Sequence, residues 1–494
     1  MNTGERKAPF NVQSVVPTSA NPHDEKQTIS GWFHWHEPGT STQEKKLIFK
    51  LDFFILTYGC LTYFIKQLDQ TNITNAYASG MKEELNFGPG NELSFMNTYF
   101  NIGVLVGSSF ANFAMSFVRP RFWLPFCLAT WSLFVLFLYK CEYAYQFYIL
   151  RFFIGFFESA AWPGVQYIIG SWYRKSELSR RSSIFVLSGI VGAMFSGYLQ
   201  AALYSRMEGR GGLSAWRWLF IFDFIIAVPV IIYGLIVIPD TPHTTTAFWL
   251  NEWERQRARE RIEEEGRQPT GKLNWDVFRR IFTSWQVYTF GLAFCFWSLT
   301  VGTYVTQYFT LYLKEKGFSV SDINNIPTAI SGVNFVFMAT TGFVSDKIGS
   351  RRPACILVGS LLVFNYIIFT IWDVPHSLRM FVFIFNGCYG CFTPILAGWV
   401  NESCGGDQQK RGFILGFMVA AGGAVVIPFQ QLQFPSSQAP EFSQTHGWPS
   451  ALAFVIALML WTGWGITFIQ RWAEKRSSSV EDTRSEEDGR SLEA

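Results

Sequence analysis

The feature that most constrains this chain is a recurrence: stretches of roughly 18 to 25 apolar residues return along its whole length. A helix needs about that many residues to cross about 30 Å of hydrocarbon, because it rises about 1.5 Å per residue. Twelve such stretches are present, at approximately 47–73, 93–116, 122–139, 145–172, 183–204 and 216–238, then 287–313, 323–345, 354–372, 378–400, 413–431 and 448–472. They are called spans one to twelve below. Only 16% of the residues are charged, where a soluble chain would carry about a quarter. The expected fold class is therefore an all-α membrane protein.

The net charge of +3 matters less than its placement. Lys and Arg accumulate on cytoplasmic loops. Here they gather after span four (Arg174, Lys175, Arg180, Arg181), after span eight (Lys347, Arg351, Arg352) and between spans six and seven (Arg255 to Arg280). Even-numbered loops and both termini are thus expected in the cytoplasm. The first 46 residues lack an apolar stretch of their own, so no cleavable signal is expected and span one should insert uncleaved. The expected organisation is a disordered segment 1–46, a six-helix bundle 47–238, a cytoplasmic loop 239–284 with a charged helix, a second six-helix bundle 285–472 and a disordered tail 473–494. The mixed charges of WLNEWERQRARERIEEEG in that loop read as a solvated helix rather than a nucleic-acid site.

Two groups of six spans suggest an internal duplication, and one loop carries its trace. Span eight exits through GFVSDKIGSRRP, and its counterpart, span two, through ANFAMSFVRPRF. Aligned, they set Met115 opposite Asp346 and Arg121 opposite Arg352, so the basic residue is kept and the acid is lost in the first copy. A plain cytoplasmic loop would explain the arginines but not the spacing of Gly342, Asp346, Lys347, Gly349, Arg351 and Arg352. With this loop the chain resembles the major facilitator superfamily. The resemblance implies two six-helix bundles rocking about a site near the bilayer midplane, and it implies that the loop carrying Asp346, Arg351 and Arg352 is a cytoplasmic charge latch. LDQTNITNAYASGMKEEL, RFFIGFFESAAWPGVQYIIGSWY, WRWLFIFD and VNESCGGDQQKRG are further similar to the fungal allantoate permeases, which are anion:cation symporters. Within them the lysine and D-Q-T-N of span one are most similar to fungal pantothenate transporters. Many of those relatives have arginine where this chain has Gln70.

Span one also breaks the apolar rule by itself. A charge at the centre of a spanning helix costs at least about 2.5 to 3.5 kcal/mol, so it survives where it faces a wet cavity or a partner. Lys66, Asp69 and Asn72 follow one another at three-residue spacing and share a face, with Gln70 beside them. A structural ion pair or snorkelling to headgroups is the bland alternative for Lys66. In span four Arg151 and Glu158 are seven apart, on one face and about 10 Å from each other. A mid-span carboxylate such as Glu158 suits a proton carrier. Arg151 could attract an anion or pair with an acid. Asp223 in span six reads equally as a bond to neighbouring helices. From the second bundle Tyr304, Gln307, Asn334 and Asn386 are candidate lining groups. Small residues recur every four in span five, at Ser188, Gly192 and Ser196 and at Gly189, Ala193 and Gly197, which is helix-packing chemistry.

No phosphate-binding G-x-x-x-x-G-K-[ST] is present, and no metal or nucleophile constellation supports an enzyme. Cys388 and Cys391 have the C-x-x-C spacing without a second pair, which favours packing over metal or redox chemistry. The expectation is a proton-coupled symporter importing a small organic carboxylate, pantothenate first, across the plasma membrane. It needs no metal and no cofactor beyond the proton gradient, binds no nucleic acid, lies in the lipid bilayer and works as a monomer. Nicotinate, biotin or allantoate as cargo remain open, as do a proton-antiport exporter and a nutrient sensor.

Overall fold

The computed structural model describes residues 36, 39–88, 90–264, 275–348, 350–404 and 408–476, apart from the side chains at 109, 112–117, 175, 176, 179, 275–278, 342, 343, 346, 347, 408 and 409. The chain divides into Met1–Phe49 and Lys50–Ala494. In the first unit a helix begins at Thr42, inside the segment expected to lack structure. Its start is held by Ser41, whose Oγ accepts from the Glu44 amide at 3.2 Å, a hydroxyl capping bond. Most of the expected segment 1–46, and 477–494 of the expected tail, lie outside the described residues.

In the second unit every described element is a helix or a helical turn, and they account for twelve spans. Span one runs as Thr57–Ala76 and ends in a π turn, Tyr77–Met81, where Gly80 takes φ +110°. Span two is Glu92–Phe117, span three Pro120–Phe137, span five Lys175–Met207 and span six Ala215–Val237. The second group comprises span eight as Thr328–Ile348, span nine as Arg352–Ile371, span eleven as Gln408–Gln433 and span twelve from Gly447–Leu460 onward. Nine helices among the described residues are long and apolar enough to cross a bilayer. Spans two, four and eight complete the set.

Three spans that read as continuous are interrupted. Span four is Ala144–Glu158 followed by Ala161–Trp172. Pro163 explains the break, since proline has no N–H to give the Ser159 carbonyl and its ring crowds that carbonyl. Span seven breaks between Trp285–Leu299 and Val305–Glu315, where Val301 takes a left-handed φ of +50°. Span ten tightens into a 3-10 turn at Asn386–Cys391, between His376–Phe385 and Phe392–Ser403. Each interruption leaves backbone away from regular pairing at mid-span, which a membrane protein tolerates where the backbone is buried in protein or faces a cavity. All eight cysteines are free thiols.

Spans one, five and six pack together, as do two with four and three with six; in the second group seven packs on eleven, nine on twelve and eight on ten. The bundles meet through spans five and eight, two and eleven, and one and seven. The end of the bundles bearing the loops after odd-numbered spans is called the odd-loop face. The opposite end carries the long connection. There helix Glu252–Glu263 is capped by Asn251, whose side chain accepts from the Glu254 amide at 2.8 Å while Glu254 bonds back to the Asn251 amide. The structure corrects the expectation of a merely solvated helix. Arg261 and Glu177 form a 2.5 Å ion pair with both side chains buried, and Glu254 pairs with Lys50 at 2.7 Å. The mixed charges face partners on the first bundle.

Candidate functional site

Glu158 is the last residue of the first half of span four, so the Pro163 break places it where the helix stops. It is fully buried. Lys66 of span one lies 3.9 Å from its Oε1, and Gln70 donates to the same oxygen at 2.6 Å. Oε2 has no hydrogen-bond partner. Gln70 thus serves the carboxylate as a neutral donor.

Arg151 sits two turns earlier on span four, also buried, with its guanidinium 4.3 Å from the Phe100 ring centre. That stacking depends on spans two and four approaching backbone to backbone. A Cβ on Gly155 would stand 2.2 Å from the Phe100 carbonyl oxygen, so glycine is required there. Arg151 Nε has no partner, and no hydrogen bond or ion pair ties this guanidinium to another described residue.

The remaining polar residues of span one turn to other helices. Asp69 accepts from the Trp131 indole of span three at 3.1 Å, and its other oxygen is unpartnered. Asn72 donates to both oxygens of Asp223 in span six at 2.6 Å, and it accepts from the Ser196 hydroxyl of span five. Asn75 in turn donates to Ser196 at 2.7 Å. The face that Lys66, Asp69 and Asn72 were expected to share is therefore divided among spans four, three and six. No ion pair links Lys66 to Asp69. Asp223 is no isolated curiosity, because it ends a chain of buried hydrogen bonds.

From the second bundle, Tyr304 and Gln307 meet the first. Asn101 donates to the Tyr304 hydroxyl at 2.6 Å and Asn97 to Gln307 at 2.7 Å. Asn97 and Asn101 were passed over in the sequence, although two amides four apart in an apolar span form a polar stripe. Asn386 opens the 3-10 turn of span ten, fully buried with neither amide atom partnered. Asn334 packs against Gly390, where a Cβ would stand 2.1 Å from its unpartnered Oδ1. These groups are neutral, unlike those of the first bundle.

Toward the odd-loop face the bundles are tied together. Lys314 pairs with Glu83 at 2.8 Å, Asn324 donates to Ser79 at 3.0 Å and Gln431 to Thr98 at 2.6 Å. The Ser436 amide donates to Ser94 Oγ at 3.0 Å. A Cβ on Gly197 would fall 2.3 Å from the Asn324 carbonyl oxygen, so one small-residue stripe of span five serves the contact between bundles.

Of the expected latch, Arg351 donates to Glu402 at the end of span ten at 2.8 and 3.0 Å and to Ser345 at 3.2 Å. Arg352 lies over the Trp464 ring. Gly349 and the side chains of Gly342, Asp346 and Lys347 lie outside the described residues. Glu402 belongs to the VNES stretch already noted in the sequence, and its pairing with Arg351 was not foreseen.

Comparison with known proteins fits this architecture. The family model described as Major Facilitator Superfamily matches residues 59–429. The chain is 70% identical to the MFS transporter PfmaC of Pestalotiopsis fici over 91% of its own length and 85% of that protein's. It is 34% identical to the pantothenate transporter liz1 of Schizosaccharomyces pombe, covering 82% of this chain and 79% of the other. Among solved structures, a D-xylose-proton symporter superposes with a TM-score of 0.65 at 15% identity, over 84% of this chain and 97% of that one.

Proposed function

The chain belongs to the major facilitator superfamily, and from that premise we propose that it is a proton-coupled symporter importing a small organic carboxylate, pantothenate first, across the plasma membrane by alternating access. The observation that carries this reading is the Arg151 guanidinium, buried on Phe100 with no acceptor among the described residues. A planar fork of donors in such a place is matched by a carboxylate, which accepts two parallel hydrogen bonds.

Charge counting supports the same cargo. Lys66 and Glu158 stand 3.9 Å apart and offset each other, which leaves the Arg151 guanidinium with no carboxylate at ion-pair distance among the described residues. A monocarboxylate neutralises it, and uncompensated charge in the bilayer interior is costly. The proton neutralises a carboxylate of the first bundle, Glu158 or Asp69, as the substrate anion meets its cation. The positive charge of the even-numbered loops supports a cytoplasmic even-loop side and cytoplasmic termini. The protein works as a monomer with no cofactor beyond the proton gradient. The 34% identity to a pantothenate transporter supports pantothenate as the first carboxylate to test, while the 70% identical relative has a name that states no cargo.

Uptake of labelled pantothenate, measured at acid and neutral external pH with and without a protonophore in yeast lacking its own transporter, tests this directly. Saturable, acid-stimulated, protonophore-sensitive uptake is expected. No uptake by protein proven to be at the surface would overturn pantothenate as cargo and direct the same assay to nicotinate, biotin and allantoate, then to efflux from loaded cells.

A further inference from the structure

The first bundle holds two kinds of buried acid. Glu158 has a cation, Lys66, at 3.9 Å. Asp223 has none among the described residues: both of its oxygens face the Asn72 amide. Behind Asn72 the donors all point one way, from Asn75 to Ser196, from Ser196 to Asn72 and from Asn72 to Asp223. Every member is at most 5% exposed.

Such a chain has two satisfied states. With Asp223 ionised, the donors run toward it as observed. With Asp223 protonated, its hydroxyl donates to Asn72 Oδ1, provided the Asn72 amide turns over. Asn72 then donates to Ser196, and Ser196 to a turned Asn75. Each pair stays bonded with its direction reversed, one of the two Asn72–Asp223 bonds being given up, so one proton on span six is reported through span one to span five. A half-turned chain would leave two donors or two acceptors facing each other in a buried site, which is costly.

The chain ends at the closure between bundles. Ser196 precedes Gly197, which packs on the Asn324 carbonyl. Asn75 stands one turn before Ser79, which accepts from the Asn324 side chain. Ser79 itself has non-helical φ and ψ inside the π turn that ends span one. Spans one and five therefore both bear on Asn324 within a few residues of the chain.

We propose that Asp223 is a proton-reading residue whose state is transmitted to the odd-loop closure through Asn72, Ser196 and Asn75. This deepens the symport reading and rests on it for its biological use, although the device itself needs no cargo. Spans one, three and five pack against span six, as do the turns Tyr77–Met81 and Leu138–Lys140. Span one brings Asp69, with Glu158 and Arg151 of span four acting on Asp69 beyond it; span three brings the Trp131 indole, which is bonded to Asp69; span five brings Ser196. The observed closure has the donors directed at Asp223, the arrangement of the ionised acid, and a proton on Asp223 reverses them. Alkaline conditions therefore favour closure and acid favours opening.

The test uses the full-length protein in lipid nanodiscs without substrate. Spin labels are placed on Glu142→Cys, at the odd-loop end of the first bundle, and Ser437→Cys, at that of the second, both exposed. The distance between them is read by pulsed electron resonance in acid and alkaline buffer, against the unlabelled-position parent as background. The open fraction is expected to rise severalfold toward acid pH. Asp223→Asn should lose that response, and so should Ser196→Ala, which keeps the acid and breaks the chain. A response in Asp223→Asn equal to the parent's overturns the proposal, and an unaltered response in Ser196→Ala overturns the transmission route. Because no cargo is present, failure of the pantothenate assay leaves this result standing.

Discussion

The two groups of six spans bury different chemistry. The first encloses Asp69, Arg151, Glu158 and Asp223, with Lys66 nearly so. In the second, among the described side chains, the buried polar groups include Gln307, Asn365, Asn386 and Gln430, and none is charged. Each central charge costs at least about 2.5 to 3.5 kcal/mol on insertion scales, so keeping several in one half only is not a by-product of packing. The difference suits a division of labour: under the proposed symport, one bundle would handle the charged end of the cargo and the proton, and the other would present neutral donors and acceptors to the cargo's neutral part.

The largest effect should come from breaking the charged half at its least supported member. Arg151→Lys preserves the charge but loses the fork and its stacking, so kcat/KM for uptake should fall by about 100-fold, and further in Arg151→Ala. Initial rates against substrate concentration, at matched surface expression, measure this. Parent-like transport by the lysine variant would reduce the role of Arg151 to bulk charge.

Glu158→Gln comes next. Acid-driven accumulation should disappear while substrate exchange persists in part, because the anion's cation is untouched and the proton's carboxylate is gone. Comparing counterflow with pH-driven uptake in proteoliposomes separates the two. Unchanged acid-driven accumulation would remove Glu158 from coupling.

The neutral half is sharpened by Asn386→Leu. Burying an unpartnered amide costs stability, so an apolar replacement of similar shape should leave thermal stability unchanged or raised. KM for pantothenate, which has hydroxyls and an amide, should nevertheless rise by about tenfold, while acid stimulation persists. Equal KM in both proteins would place Asn386 outside the cavity.

Much of this contrast was legible in the sequence, because the bilayer makes polarity inside a span conspicuous. Lys66, Asp69, Arg151 and Glu158 stood out on cost alone. What did not show was direction. Three-residue spacing put Lys66, Asp69 and Asn72 on one face, but a helix surrounded by three neighbours sends adjacent residues of one broad face to different partners. The interruptions at Ser159, Val301 and Asn386 were hidden for another reason: hydropathy averages over a window and is blind to a local turn. Pro163 was the available signal for the first of them. The pairing of Arg351 with Glu402 lay beyond reach, since it joins residues of one sign each from motifs far apart in the chain.

The smallest effect concerns the helix Glu252–Glu263, whose ties extend the charge asymmetry to the even-loop end. Glu264, just past its last residue, accepts from Arg257 at 2.6 Å and also pairs with Arg174 at the start of span five. The Arg257 hydrogen bond holds the Glu264 carboxyl below the usual carboxylate value of 4.5. A depressed value means that the carboxylate stabilises the docked helix at pH above its ordinary value, and that this is lost as pH falls through the lowered one. Glu264 is largely exposed, so solvent screens the pair and the gain is small. Glu264→Gln should therefore raise amide hydrogen exchange in this helix by no more than about threefold at neutral pH, with the parent approaching the variant in strong acid. A variant that exchanges like the parent at neutral pH would mean that the Arg261–Glu177 and Lys50–Glu254 pairs fix the helix without help from Glu264.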